Sequence, residues 1–220
     1  MEIKQMTELM LTGLSETMYM VIISTLFAYI IGLPLGIILA VTDENGVAPL
    51  KWLNASLGFI VNMLRSVPFL ILLVALLPFT RKLIGTTLGP TATVVPLIIG
   101  SAPFIARMVE SSVMEVDHGI IEAVQSMGAP TFKIITKVLI PEAKPSLIVG
   151  AAISVTTILG YSALAGFTAG GGLGAIAVNY GYYRYQDDVM LVTVIVLVLL
   201  VQVFQEVGMY IARKTDKRIK

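Results

Sequence analysis

The stretch that decides the reading of this chain is Asp117–Lys144, DHGIIEAVQSMGAPTFKIITKVLIPEAK. It is amphipathic and charged, yet it lies between long apolar runs. Gly119 to Met127 reads as a short helix with Ile120, Ile121, Val124 and Met127 at helical spacing, and Gly128-Ala129-Pro130 breaks it. Thr131 is the expected N-cap of a second helix carrying Phe132, Ile135 and Leu139 on one face and Lys133 and Lys137 on another, ending near Pro141. Two readings of this pattern stand side by side. One is a helical knob offered to a partner's groove; the other is a hairpin resting on lipid headgroups.

The surroundings set that stretch in a membrane. Of the 220 residues, 56% are hydrophobic and 13% charged, against about 25% charged in an ordinary soluble domain. The net charge of +1 gives no field that would attract nucleic acid, and the absence of cysteine removes disulfides and thiolate chemistry. His118 stands alone, with no second His or Cys at ligand spacing, which argues against a metal site.

Residues 17–42 are uncharged, and about 20 suffice to cross the hydrocarbon core. This run is too long for the apolar part of a signal peptide and reads as a retained span. Within it, Gly32-Leu33-Pro34-Leu35-Gly36 suits close helix packing. Ser66 to Thr80 is a shorter apolar run that must borrow turns from the residues before it, with Pro68 marking a distortion beside Arg65. Leu83 to Ala106 forms a third run, opened by Gly89-Pro90 and holding Pro96 and Pro103, which favours a protein-lined setting over a lipid-facing rod. No charge occurs from Pro145 to Tyr183. Residues 146–166 supply a fourth span there, and the glycines from Gly170 to Gly174 then lead a connection ending in Tyr180, Tyr182, Tyr183 and Tyr185, which fit an interfacial aromatic belt. A fifth span covers Val189 to Ala212, and a basic tail follows.

The expected fold is therefore an all-α polytopic membrane protein with five transmembrane helices near 17–41, 57–80, 86–108, 146–166 and 189–212. With a cytoplasmic C-terminus, eleven Lys and Arg lie inside and only Lys4, Arg81, Lys82 and Arg184 outside, as the positive-inside rule demands. The N-terminus is then outside and residues 117–144 are cytoplasmic. No G-x-x-x-x-G-K-[ST] pattern occurs, so any nucleotide-driven work falls to a partner.

Tyr161 and Ser162, late in the fourth span, are candidates for lining a path, because polar groups in lipid need partners. Leu164, one turn beyond Gly160, is a candidate apolar constriction. Simple helix packing of a satisfied tyrosine is the other explanation. Arg107 and Glu110, at i and i+3, suit a structural ion pair. Glu206 has no companion carboxylate within a turn, which argues against a proton relay.

Glu122-Ala123-Val124, Gly128, and Val138-Leu139-Ile140-Pro141 after nine intervening residues resemble the EAA loop of bacterial ABC importer permeases: EAA, three residues, G, nine residues, I-x-L-P. The spacing agrees throughout, and Val124, Val138 and Ile140 are apolar departures. RSVPFLILLVALLPFTR, VPLIIGSAPFIARMVE and GYSALAGFTAGGGLGAIAVNYGY extend the resemblance to the permeases of the methionine importer family. The resemblance implies a type I importer fold in the bacterial cytoplasmic (inner) membrane and a homodimer enclosing a shared path for methionine, D or L, or a related amino acid. It implies two partner ATPase subunits that hold ATP and Mg, and an extracytoplasmic substrate-binding protein. The chain itself is then not an enzyme and carries no cofactor. Glu122 and Gly128 become docking positions for the ATPase, with Ala123 and Pro141 shaping the loop. A secondary transporter, which would want mid-membrane acids and an inverted repeat, and a non-transporting membrane scaffold are the competing readings.

Overall fold

The computed structural model describes residues 3–216, and every regular element in it is helical. Lys217, Arg218 and Lys220, part of the basic tail counted above, lie outside the described residues. The elements are α1 (Ile3–Thr42), α2 (Lys51–Ser66), α3 (Phe69–Ala75), α4 (Leu77–Ile84), α5 (Pro90–Met114), α6 (His118–Ser126), α7 (Thr131–Ile134), α8 (Ile140–Leu164), α9 (Gly172–Ile176) and α10 (Asp187–Thr215). Four helical stretches, in α1, in α5, from α7 through α8, and in α10, are long and apolar enough to cross a membrane. A fifth is reached if α2 and α3 count together as one broken span.

The helices depart from the expected spans in instructive ways. The stretch expected as one span over 57–80 is not one helix. Val67 and Pro68 break it, and α2 and α3 meet at a 96° bend. Pro68 has no N–H to donate and biases the residue before it away from the helical region, so the distortion expected there is a full corner. α5 opens at Pro90, where a missing N–H costs nothing, and it carries Pro96 and Pro103 without interruption to Met114. Its most apolar window is 67% buried, against 11% for that of α10, which agrees with a protein-lined setting for the proline-bearing helix.

The chain forms two compact units. One comprises residues 1–28, 67–101 and 154–205; the other comprises 29–66, 102–153 and 206–220. In the first, Met10 of α1 packs with Leu173 and Ile176 of α9 and Val189 of α10. The glycine-rich run is not a loose connection. A 3₁₀ turn (Ala165–Thr168), α9 and a wide π-helical turn (Ala177–Tyr182) fold it into a compact helical insert. Glu16 accepts a hydrogen bond from the Gly172 N–H at 2.6 Å and Thr17 Oγ1 accepts one from Leu173 at 2.9 Å, so α1 supplies the caps that the N-terminus of α9 lacks. A side chain at Gly174 would collide with the backbone of Ala163. Glycine is there for close approach rather than for looseness.

In the second unit, Leu39, Val61 and Ala106 bring α1, α2 and α5 together. Gly32 and Gly36 are buried against α5 while Pro34 is exposed, so close packing accounts for the two glycines. A methyl group at Gly36 would run into the Ala106 carbonyl oxygen and Val109. Gly36→Val is expected to cost about 1–3 kcal/mol by overpacking, read as a lower melting temperature of the purified protein, while Ile38→Val on the exposed face leaves it unchanged. The carbonyl of Leu39, one of the last four of α1, accepts from Asn54 Nδ2 at 2.7 Å, and the loop amides of Ala48 and Leu50 satisfy Val41 and Thr42.

Candidate functional site

Residues 117–144 form two short helices about a fixed turn. Asp117 caps α6 by accepting from the Gly119 N–H at 2.7 Å. At the other end Gly128 takes φ +76°. Its N–H donates to Gln125 O at 2.8 Å and that of Ala129 to Val124 O at 3.3 Å. This pair of bonds with a left-handed residue between them is the Schellman arrangement, which satisfies carbonyls that the helix end leaves open. Nothing lies within 4 Å of where a Cβ of residue 128 would stand, so the glycine is required by conformation and not by crowding.

The second helix differs from expectation at both ends. Pro130, extended, is the N-cap, and Thr131 is the first helical residue, without a capping bond. Nor does Pro141 end the helix. A wide turn over Ile135–Leu139, with the Ile140 N–H bonding Ile135 O five residues back, joins α7 to α8. Pro141 lacks the N–H that an i−4 bond would need, and a one-residue expansion of the helix just before it accommodates that loss. The element that carries Pro141 is therefore the start of α8 itself.

Burial divides the segment into a rooted side and a presented side. Ile121, Ile134 and Leu139 are buried, and Gln125 Nε2 donates to Val47 O at 3.3 Å, tying α6 to the loop after α1. Met127 is 77% exposed and Phe132 75%. Glu122 and Ala123 are exposed beside them. A carboxylate and two large apolar side chains standing out from a rigid turn are what a helix-in-groove contact uses.

Of the polar residues nearby, Arg107 Nη1 pairs with Glu110 at 2.6 Å, the i,i+3 ion pair expected, and Nη2 also donates to the Gly58 carbonyl at 3.1 Å. Glu110 is buried. The second bond was hidden in the sequence because it links α5 to α2 across 49 positions, and Gly58 leaves room for the guanidinium.

The candidate path residues do not act as one group. Tyr161 stacks on Phe69, with centroids 4.3 Å apart and planes 3° apart. Ser162 is buried and donates to Leu159 O at 2.7 Å, so its hydroxyl is satisfied within its own helix. Leu164 is exposed, as are Ile153, Gly160 and Phe167, which recur at helical spacing along one face of α8 and its 3₁₀ extension. Phe69 was missed from the sequence; its place directly after Pro68, at the start of α3, was the available signal. Glu206, exposed, lies 3.9 Å from Arg213.

Comparison with known proteins gives these arrangements a setting. Residues 32–220 match the family described as "Binding-protein-dependent transport system inner membrane component". The probable D-methionine transport system permease protein MetI of Vibrio cholerae is 46% identical over 212 residues, covering 96% of this chain and 94% of that protein. The methionine import system permease protein MetP of Bacillus subtilis is 46% identical over 181 residues, 82% of each chain. A solved structure of inward-facing conformations of the MetNI methionine ABC transporter superposes with a TM-score of 0.96 at 43% identity, over 99% of this chain and 100% of that one. An amino acid ABC transporter crystallised with histidines shares the fold at a TM-score of 0.75 and 20% identity. The chain therefore belongs to the family of binding-protein-dependent transport system inner membrane components, and it is a membrane permease subunit that is not itself catalytic.

Proposed function

We propose that the chain is the permease of a methionine importer. It would act as a homodimer with two ATPase subunits, which hold ATP and Mg, and an extracytoplasmic substrate-binding protein. The observation that carries this reading is the presented face of residues 117–144: Glu122 and Gly128 at the EAA spacing, with Met127 and Phe132 exposed on either side of Gly128. Its support is the naming of relatives at 46% identity as methionine permeases and the likeness to a methionine ABC transporter chain.

In this reading the chain crosses the membrane five times, with the N-terminus outside and the C-terminus cytoplasmic. Two observations favour that topology. The sequence alternates between the two units in six consecutive stretches, so the start of α1 and the end of α10 belong to different units. Lys4, Arg81, Lys82 and Arg184, the four basic residues assigned to the outside, all fall in the first unit, and among the described residues every other Lys or Arg falls in the second.

Mechanistically, an ATPase groove closes on the exposed side chains, with Glu122 and Ala123 at the contact. The Schellman turn at Gly128 and the continuous path from α7 into α8 through Pro141 make the segment stiff. Displacement of the knob is then handed to α8, the helix that carries Tyr161, Ser162 and Leu164. Stiffness matters because a compliant loop would absorb the stroke instead of rocking the helices. Tyr161 and Leu164 are offered as path residues; Ser162 serves as packing with a self-satisfied hydroxyl.

The double variant Met127→Ser/Phe132→Ser tests the docking face. Loss of two exposed apolar anchors is expected to weaken capture of the purified ATPase by about a hundredfold, with unchanged insertion and melting temperature. Undiminished capture would overturn the assignment of this face.

A further inference from the structure

Four glycines stand where an added Cβ would meet no atom of the chain within 4 Å: Gly85, Gly89, Gly128 and Gly160. The first three take φ between +76° and +88° and are glycine for conformation. Gly160 is different. It lies inside α8 without a positive φ, where glycine is a poor helix former, and no neighbour in the chain crowds it. Further along the same face stand Leu164 and Phe167, 39% and 53% exposed. Two large side chains do not continue a small-residue seam of the kind on which membrane helices approach closely. Gly160 therefore makes a local notch in an otherwise bulky face.

Tyr161, the next residue, borders that notch. Its ring is parallel to that of Phe69 within 3°, with centroids 4.3 Å apart. Since carbon contact needs only about 3.5 Å, the rings are offset and part of the Tyr161 face stays uncovered. Phe69 is itself held: it is buried, and a Cβ at Gly100 of α5 would stand 3.2 Å from its ring. The stack thus fixes Tyr161 in one orientation. Tyr161 is half-buried, and among the described residues its hydroxyl has no hydrogen-bond partner. An open phenol within a membrane span calls for a polar ligand.

We infer that Gly160 and Tyr161 form the slot that takes the substrate's side chain, with the Tyr161 ring selecting for a thioether. This rests on the methionine permease reading above. A thioether sulfur is polarizable and gains from lying beside an aromatic ring, where a methylene of similar size gains less. An unbranched side chain suits a notch bounded at one end by Leu164 and Phe167. The Tyr161 hydroxyl, donor and acceptor at once, meets the amino or carboxylate end of the substrate. Phe69 is a positioning residue that acts through Tyr161.

The test uses the permease–ATPase complex in lipid nanodiscs. Saturation-transfer NMR measures its binding of methionine and of norleucine, which has a methylene in place of the sulfur. ATP-driven methionine uptake is followed in proteoliposomes of the same complex with the binding protein. The wild type is expected to bind methionine about fivefold more tightly than norleucine. Tyr161→Leu is expected to lose that preference. Tyr161→Phe, which keeps the ring, is expected to weaken both ligands about threefold and to retain it. Phe69→Leu, which frees the Tyr161 ring, is expected to lower the preference to about twofold. Gly160→Leu is expected to weaken both ligands more than about tenfold while the homodimer persists in native mass spectrometry. Melting curves identify any variant that fails to fold, and Gly160→Leu then carries the test in place of Tyr161→Leu. Equal affinity of the wild type for the two ligands, or a preference that survives Tyr161→Leu, would overturn the proposal. So would dissociation of the homodimer by Gly160→Leu, which makes a second copy the occupant of the notch. Wild-type methionine uptake without the preference sinks the thioether slot alone, and absence of that uptake sinks the importer reading with it.

Discussion

Gly128→Val is expected to abolish ATP-driven uptake in a chain that still inserts and still folds. Residue 128 sits at φ +76°, a region that costs an ordinary L-residue about 1–2 kcal/mol and that β-branched residues essentially do not occupy. Since no atom crowds the position, the penalty is conformational and local. The cheapest relief is to give up the Gly128–Gln125 and Ala129–Val124 bonds, which re-aims Met127 and Phe132 with respect to each other. The remaining protein does not depend on that turn, so expression and melting temperature stay near wild type. Uptake falls by more than about tenfold, the factor that corresponds to 1.4 kcal/mol in a docking equilibrium. Gly128→Asn discriminates this account from one based on bulk, because asparagine tolerates the left-handed region. It is expected to keep uptake within about threefold. If asparagine and valine are equally damaging, the turn matters for its surface and not for its backbone.

Arg107→Ala is expected to produce the largest loss of stability of any single change considered. The Glu110 side chain is only 10% exposed and its partner is the Arg107 guanidinium at 2.6 Å. Removing one member of a buried pair leaves an uncompensated charge and costs about 3–5 kcal/mol. It also removes the side-chain bond by which the guanidinium ties α5 to the Gly58 carbonyl of α2. For a chain of this length that corresponds to a fall of about 10 °C in melting temperature. The double variant Arg107→Met/Glu110→Leu removes both charges and is expected to recover most of the loss, since an apolar pair of similar volume often replaces a buried ion pair without penalty. Failure of the double variant to recover would mean that the bond to Gly58, and not the ion pair, holds α2 to α5.

Local patterns and tertiary contacts were not equally legible in the sequence. The α6 helix, its end at Gly128, the opening of α5 at Pro90 and the ion pair of Arg107 were all readable, because caps, prolines and i,i+3 spacing act over one or two turns. The corner at Pro68 was visible as a distortion but not as a 96° turn, since the angle depends on what α3 packs against. Glu16 and Thr17 capping α9 could not be foreseen, because their partners lie 156 positions away. The packing inside the glycine-rich connection was hidden for a related reason. Gly174 reads as a helix breaker when taken alone, yet against Ala163 it is the residue that allows the insert to pack. Pro141 was assigned an end that the wide turn at Ile135–Leu139 makes unnecessary. Among the path candidates, nothing in the sequence distinguished the buried Ser162 from the exposed Leu164, because a uniformly apolar span carries no periodicity to orient it.

The central claim is that the chain passes methionine when an ATPase works against residues 117–144. Its most direct measurement is uptake of radiolabelled methionine into proteoliposomes holding the permease with its ATPase, fed by the substrate-binding protein. Uptake that requires ATP and both subunits, and that disappears with Gly128→Val, is the result this account predicts. Uptake by the permease alone on an ion gradient, or ATP-driven uptake undiminished in Gly128→Val, would contradict it.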